Sequence, residues 1–565
     1  MSDVLSVLAS SLNDTQLAAA TRRLKTTTAS GGNRSAALTA LIELARSQKR
    51  MAVLICANAF DIARLNQEIA WLDPSLKVSS LPDWETLPYD TMSPHADLVS
   101  ERLETLYNLT SDDLPVRPDV LIAAASTAAQ RFAPKSYVAG NTFFFRKGQT
   151  ISIAKLEADL VAAGYGRVEQ TMAPGEFAVR GGIVDIFPMG AEAPLRLDLF
   201  DDEIDAIRSF DPDSQRSTGN VDRVRILPGH EFAFDEESRN RFRAAWRAAF
   251  PGDPNKCPVY VDVGSGICSP GIEYYLPLFF ESTGTLADYL PDNALFITLG
   301  ETRDAIDAFM RQTQERYKFL SHDAQRPALA PEKLFDKADD FFDAIAPFGR
   351  ISLKAPETGI DTPLTIERSA KDPAAKLKDF IAKCRIEKKR ILIVATGSGR
   401  AARLQELLRD GVREPELVDS FAAFVNGTEP LSIAVGPLSG GFVLEESGLV
   451  VVTESELYNT KAVIRRRGHS RTTNVEAIIR DVSELREGDP VVHAAHGVGR
   501  YHGLETISTE EGPAEFVRID YANDAKLFVP VSQLNLISRY TGADSEHAPL
   551  NNLGRGDWEK ARKKA

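Results

Sequence analysis

Short, wholly apolar runs alternate with helix-spaced segments through the first 125 residues, and this alternation constrains the fold more than any other feature of the chain. Residues 36–46 (AALTALIELAR) repeat their apolar positions at helical spacing. They lead into 51–57 (MAVLICA), which lacks the polar alternation of a half-exposed strand. A second helical stretch covers Ile62–Ala70, and 120–125 (VLIAAA) is another buried-strand run. A strand that is apolar on both faces must be covered on both, and helices between parallel strands do this. The segment therefore predicts an α/β layer around a parallel sheet.

The pattern changes near Pro134. FFFRKG, GRVEQTM, GEFAVRGGIVDIFP and LRLDLFDDEIDAIRSFD are short runs broken by Gly, Pro or Asp, with one helical stretch at 153–163. Strands that follow one another without helices read as a small antiparallel sheet. Because helix and strand alternation resumes after about 210, this sheet reads as an insertion into the first domain. FRAAWRAAF (242–250) reads as a helix, VYVDV and ALFITL as strands.

Residues 355–372 are rich in Pro and Asp and read as a linker. A compact α/β unit follows: RILIVAT is a strand, SGRAARLQELLRDG a helix closed by Gly, LSIAVGP and LVVVTE strands. Residues 461–480 carry Lys461, Arg465, Arg466, Arg467, Arg471 and Arg480 against Glu476. From 484 to 540 the runs are all β, with a turn at Asn523–Asp524, the size of a small barrel. WEKARKKA opens a helix with no stop signal, which points to a natural protein that continues.

The expected organisation is therefore multidomain, α/β and α+β. Residues 1–135 and 211–350 form one α/β domain, 136–210 an inserted antiparallel β domain and 366–460 a small α/β domain. Residues 461–483 are a basic linker, 484–547 a β-barrel and 548–565 the start of a linker helix. A length of 565 residues fits about three to five domains.

A net charge of −14 gives the chain no overall attraction to nucleic acid, so protein partners are expected and any DNA contact must be local. The N-terminus lacks the basic and apolar regions of a signal peptide, and no stretch approaches the ~18 apolar residues of a membrane span. Cys56, Cys257, Cys268 and Cys384 form no CxxC pair. Together these predict a reduced, cytoplasmic protein with no membrane contact.

The motifs offer little chemistry. A P-loop needs glycines for close backbone approach, a Lys for the β/γ phosphates and a Ser or Thr for magnesium, yet Gly-Lys occurs nowhere. The positional equivalent, 26–37 (TTTASGGNRSAA), is lysine-less. GSGRAA (397–402) is a Gly-rich strand-to-helix turn without the third glycine of a dinucleotide fingerprint. His493, His496 and His502 fall in a strand-turn-strand region rather than on one helix face, so barrel-surface histidines are expected, not a metal site. Asp201-Asp202-Glu203 reads as a solvated hairpin turn. No catalytic residue, metal or cofactor is expected.

LPDWETLPYD (81–90), GEFAVRGGIVDIFPMG (175–190), FDDEIDAIRSFDPDSQRS (200–217), PGIEYYLPLFF (270–280), HGVGRYHGLETI and YANDAKLFVPVSQLNLISRY resemble, in order, the transcription-repair coupling factors. The resemblance implies that residues 1 to about 350 form a module shared with the excision-repair protein UvrB: a degenerate helicase-like (RecA/Rossmann-like) α/β domain interrupted by a UvrA-binding β domain. It further implies that about 366–460 is the family's small α/β domain of unassigned role. Residues 484–547 would be its RNA-polymerase-interacting domain, an SH3- or Tudor-like barrel. An ATP-driven double-stranded DNA translocase would lie beyond Ala565. UvrB's P-loop and its aromatic DNA-clamping hairpin have no counterpart here.

The resemblance also singles out residues. It implies UvrA contacts at Arg167 (GYGRV), Arg180 (AVRGG) and Phe187 (DIFP). Arginine suits such contacts, being planar and rich in donors. UvrB has a further arginine where this chain has Ala178. Ile507, with Leu504 beside it, falls where the family contacts the polymerase β subunit, and Arg465, Arg466 and Arg467 are candidates for a DNA contact. The expected role is a monomeric scaffold that holds RNA polymerase stalled at lesions and recruits UvrA, with double-stranded DNA handled mainly by the motor. A UvrB-like ATP-dependent damage-verification enzyme and a stand-alone polymerase-binding regulator are the alternatives.

Overall fold

The computed structural model describes residues 27–30, 34–111, 116–354, 360, 364–367, 372–409, 414–444, 447–458, 490–493, 497–509, 512–522, 525–530 and 537–539. The chain divides into two compact units, Met1–Ile464 and Arg465–Ala565.

The first unit is built on a six-stranded, all-parallel sheet in the order Thr27–Ser30, Gly349–Lys354, Leu295–Leu299, Ala52–Cys56, Val120–Ala124, Val78–Leu81. Every residue of Ala52–Cys56 and Val120–Ala124 is buried. The physical reason is two-sided coverage: Leu54, Ile122 and Ile297 enter one core, while Val53, Leu121 and Phe296 enter the other.

The inserted sheet has the order Ser217–Asn220, Glu203–Phe210, Leu195–Phe200, Ile183–Ile186, Glu176–Arg180, Gly166–Arg167. It is antiparallel except at the last pair. Helix Ile153–Ala162 packs Leu156 and Leu160 into its core with Phe177, Val184 and Leu197. Strand pairing runs past the limit of 210 expected from composition. Ser217–Asn220 extends the sheet, and Arg223–Ile226 pairs with Phe143–Arg146 as a separate ribbon. Gly182 is required where it stands, because a Cβ there would lie 2.9 Å from the Leu199 carbonyl oxygen.

Between the inserted sheet and the return to the parallel sheet lies an aromatic, helical region. Helix Glu236–Ala249 is capped by Asp235, whose Oδ1 accepts from the Ser238 amide at 2.8 Å. VYVDV, expected as a strand, is instead within helix Pro258–Gly264. Pro258 presets the first helical φ, and Val259, Tyr260 and Val263 bury one helical face. The segment 81–90 is absorbed here: Trp84 meets Tyr274 edge-on at 5.5 Å, and the Tyr89 hydroxyl donates to the Leu329 carbonyl at 2.8 Å.

The small α/β domain has the order Glu416–Leu417, Leu431–Val435, Arg390–Ala395, Leu449–Thr453, Phe442–Leu444, parallel except for the last strand. Part of the expected linker belongs to it. Ile360, Leu364 and Ile366 are buried in its core, and the Ile366 amide donates to the Leu457 carbonyl. Helix Phe60–Leu72 of the first domain joins the two through one face. Arg64 donates to Ser439 Oγ at 2.7 Å, and the Trp71 indole N–H donates to the Val435 carbonyl at 3.2 Å. A Cβ on Gly436 would sit 2.6 Å from the Trp71 ring. Leu65, Ile69, Leu72, Phe421, Phe424 and Leu438 form one continuous core across this junction.

The second unit contains a five-stranded antiparallel sheet in the order Lys526–Pro530, Gly512–Asp520, Gly497–Thr509, Pro490–His493, Ile537–Arg539. Val491, Val517, Ile519, Tyr521 and Val529 make its core. The two outermost strands are not paired with each other among the described residues.

Candidate partner-binding surfaces

Both parallel sheets carry a buried carboxylate where their strands give way to helices. Ser35, in the second position of helix Arg34–Ser47, is the hydroxyl residue that ends the degenerate loop; 31–33 lie outside the described residues. Its Oγ donates to Glu68, which is fully buried and also accepts from the Ser439 amide at 3.1 Å. The Ser35 hydroxyl is thus engaged by a carboxylate, and the small domain is bonded to the same group. In the small domain, Glu454 accepts from the Thr396 amide (2.9 Å) and hydroxyl (3.1 Å) and from Arg400 Nη1 (2.5 Å). The Gly-rich turn at 397–402 is therefore held by an internal anion at the end of the sheet where α/β folds receive ligands.

The inserted sheet presents an open face opposite its helix. Along Leu195–Phe200 the residues Leu195 and Leu197 point inward, so Arg196, Asp198 and Phe200 point outward. Pairing of Arg180 with Ile183 and of Ile183 with Asp198 adds both to that face. Asp185 lies beneath, fully buried, and binds two cations. Arg196 donates to its two oxygens at 2.7 and 2.9 Å and stacks over Phe210, while Arg180 reaches it from the rim. The Arg180 side chain remains 46% exposed, so its guanidinium is both aimed and available.

The other two residues singled out on this sheet sit elsewhere. Arg167, 61% exposed, is on the edge strand beside Phe177, on the helix-covered side, 3.2 Å from Glu157. Arg167 and Arg180 therefore do not share a face. Phe187 is 6% exposed, its backbone closing two hydrogen bonds with Gly175 and Glu176. Its neighbours Val184 and Ile186 point into the sheet core, so alternation alone does not account for this burial. Phe200, 77% exposed at the tip of the hairpin, was not legible as a surface residue, because LDLFDD has the same apolar character as the buried runs.

A cleft of about 750 Å³ opens between the inserted sheet and the helical region, lined in part by Val161, Tyr165, Met189, Arg239 and Glu273. Burial pushes the Glu273 carboxyl up to about 7, against the opposing pull of Ser93 Oγ, which donates to it at 3.0 Å. The folded state therefore holds a proton that the unfolded chain has released between roughly pH 4.5 and 7, so this group's contribution to stability falls as pH rises through that window. His230, pushed down to about 4 by burial, acts in the opposite sense below 6.5. Glu273→Gln is expected to melt above the parent chain at pH 8, with the gap closing towards pH 5. A constant gap across a calorimetric pH series would sink this assignment.

In the second unit, Leu504 and Ile507 lie in strand Gly497–Thr509, opposite Val517 and Ala514; only their backbones are described. That strand pairs with Pro490–His493 only as far as Arg500, so over 504–509 no described strand adjoins its other side. His502 lies 3.7 Å from Asp520, and His496 is outside the described residues. Arg465, Arg466 and Arg467 also fall outside them. Among the described residues there is no metal-ligand cluster, and no helix is long and apolar enough to cross a membrane. All four cysteines are unpaired, so Cys257 and Cys268 are not bridged.

Three family models match the chain in order: the UvrB interaction domain over 143–232, the MFD D3 domain over 380–457, and the CarD-like/TRCF RID domain over 485–541. The first takes in both the inserted sheet and the ribbon of Phe143–Arg146 with Arg223–Ile226. The transcription-repair-coupling factor of Escherichia coli K12 is 37% identical over 544 residues, 94% of this chain and 46% of that protein. That of Haemophilus influenzae is 36% identical over 540 residues, 93% and 46%. That of Bacillus subtilis is 27% identical over 547 residues, 92% and 46%. The chain spans about half the length of the curated relatives it matches. With three domain matches in sequence and homology along nearly its whole length, the chain belongs to the transcription-repair-coupling factor family.

Proposed function

We propose that this chain is a two-partner scaffold: it binds RNA polymerase stalled at DNA lesions and recruits UvrA for nucleotide excision repair. The observation that carries the UvrA contact is Arg180, half-exposed on the open face of the inserted sheet and oriented by the buried Asp185. A guanidinium already fixed in place loses little freedom on binding and presents several donors at once. Arg167 contributes from the sheet edge, and Phe187 supports the face from within rather than touching the partner.

The second contact is the sheet of the second unit, which we propose closes into an SH3- or Tudor-like barrel. The side of 504–509 that no described strand adjoins supports docking by strand addition to the polymerase β subunit. Ile507 would supply the apolar anchor, with Leu504 beside it. Ile507→Arg is expected to weaken binding to the isolated N-terminal lobe of the β subunit by at least about tenfold, with the circular dichroism spectrum unchanged. Equal binding by a folded variant would place the contact elsewhere, and no binding by the parent chain would remove the polymerase from the proposal.

No catalytic step and no cofactor is assigned to this chain, which acts as a monomer. The Ser35–Glu68–Ser439 bonding supports a structural role for the former nucleotide edge. ATP-driven translocation on double-stranded DNA is assigned to sequence that the relatives have outside the matched half. A contact of Arg465, Arg466 and Arg467 with DNA remains a proposal on residues outside those described.

A further inference from the structure

The ribbon of Phe143–Arg146 and Arg223–Ile226 has two chemically opposed faces. Phe143, Phe145, Val224 and Ile226 turn inward to the sheet core. Strand alternation then puts Phe144, Arg146, Arg223 and Arg225 together on the outer face, with no acid among them. Arg225 is committed to Glu104 and Asn108, at 3.2 Å each, and lies over Tyr107. The remaining cations are not. Arg146 and Arg223 stand directly opposite each other, a pairing of like charges that costs stability unless something neutralises it. Lys147 follows at the end of the strand. Among the described residues Arg146, Lys147 and Arg223 make no ion pair, and all three are exposed. The Arg223 guanidinium sits 4.6 Å from the Phe144 ring, which is itself 42% exposed. A cleft of about 700 Å³ opens beside them, in which Asp222 is the only acidic lining residue.

We propose that this outer face binds single-stranded nucleic acid, with Arg146, Lys147 and Arg223 on phosphates and the Phe144 ring against a base. In a chain of net charge −14, a basic cluster with no ion pair among the described residues is a specific local attraction for a polyanion. An acidic peptide would answer the charge but leave the aromatic ring unused. A base has a π face to offer, and only an unpaired strand exposes it. The site is separate from the open face that carries Arg180 and does not depend on either docking proposal.

The test is fluorescence anisotropy with labelled oligothymidylate at low salt. It compares the full chain with Arg146→Gln/Arg223→Gln and with Phe144→Ala. The double variant is expected to bind at least about tenfold more weakly and to flatten the log–log salt slope by about 1.4, the loss of two phosphate contacts on a single strand. Phe144→Ala should weaken binding with the slope unchanged. The double variant should melt no lower than the parent, since it removes the like-charge pairing of Arg146 with Arg223, and Phe144→Ala should keep the parent's circular dichroism spectrum. Any basic segment elsewhere is common to all three proteins and cancels in the comparison. No binding by the parent, or equal affinity and slope in the double variant, overturns the proposal. So does a duplex of equal length bound as tightly as the single strand, or capture of oligoglutamate in preference to oligothymidylate.

Discussion

Arg102→Ala is expected to destabilise the first unit by roughly 3–5 kcal/mol, the range for removing one partner of a buried ion pair. Arg102 is fully buried on helix Ala96–Thr110. Its Nε and Nη2 donate to the two Glu231 oxygens at 2.6 and 3.2 Å, and Nη1 donates to the Pro82 carbonyl at 2.6 Å. Its guanidinium carbon lies 5.2 Å from the Trp84 ring centre and 5.6 Å from that of Phe132. Glu231 is 3% exposed and keeps, after the substitution, only the Trp84 indole N–H at 2.9 Å. The cost therefore arises from a stranded carboxylate more than from the lost arginine. Arg102→Met combined with Glu231→Leu should recover much of the loss, because the desolvated charges leave together. Arg102→Lys should recover little, since one ammonium cannot reproduce a three-way fork. Urea unfolding followed by tryptophan fluorescence, with Trp84 as a reporter inside the cluster, reads all three. An unchanged midpoint for the single variant, or a double variant no better than the single, would show that charge burial is not what this cluster contributes.

Arg102 also marks the boundary of what is legible in the sequence. In SERLETLYNLT it looks like a surface charge on an amphipathic helix, and its partner is 129 positions away. The same holds for Glu68 and Ser439, 371 positions apart. The parallel strands Ala52–Cys56 and Val120–Ala124 were readable because each buries both faces, a property written in consecutive residues. VYVDV was misread for a local reason: it is β-branched sequence that Pro258 starts as a helix. The family motifs singled out Arg180, but its orientation depends on Asp185 and Arg196, which only pairing of three strands brings together.

That arrangement sets the second large effect. Arg180→Ala is expected to weaken UvrA binding by about 30-fold or more, the equivalent of a hot spot of about 2 kcal/mol, while leaving the melting temperature almost unchanged. The fold is spared because Asp185 keeps both bonds from Arg196. Arg196→Ala should behave in the opposite way. It removes the more buried of the two cations and its stack on Phe210, leaving Asp185 with a single partner at the exposed rim, so stability should fall first. The two substitutions delete the same chemical group from the same carboxylate. A difference between them therefore separates a residue that faces a partner from one that holds the face in place. Calorimetric titration of UvrA with each folded variant decides the matter. If Arg180→Ala binds as the parent does while Arg167→Ala does not, the contact belongs to the edge strand and the helix side of the sheet. If both bind normally, neither arginine carries a UvrA contact, and the proposed role of this sheet in recruiting UvrA falls.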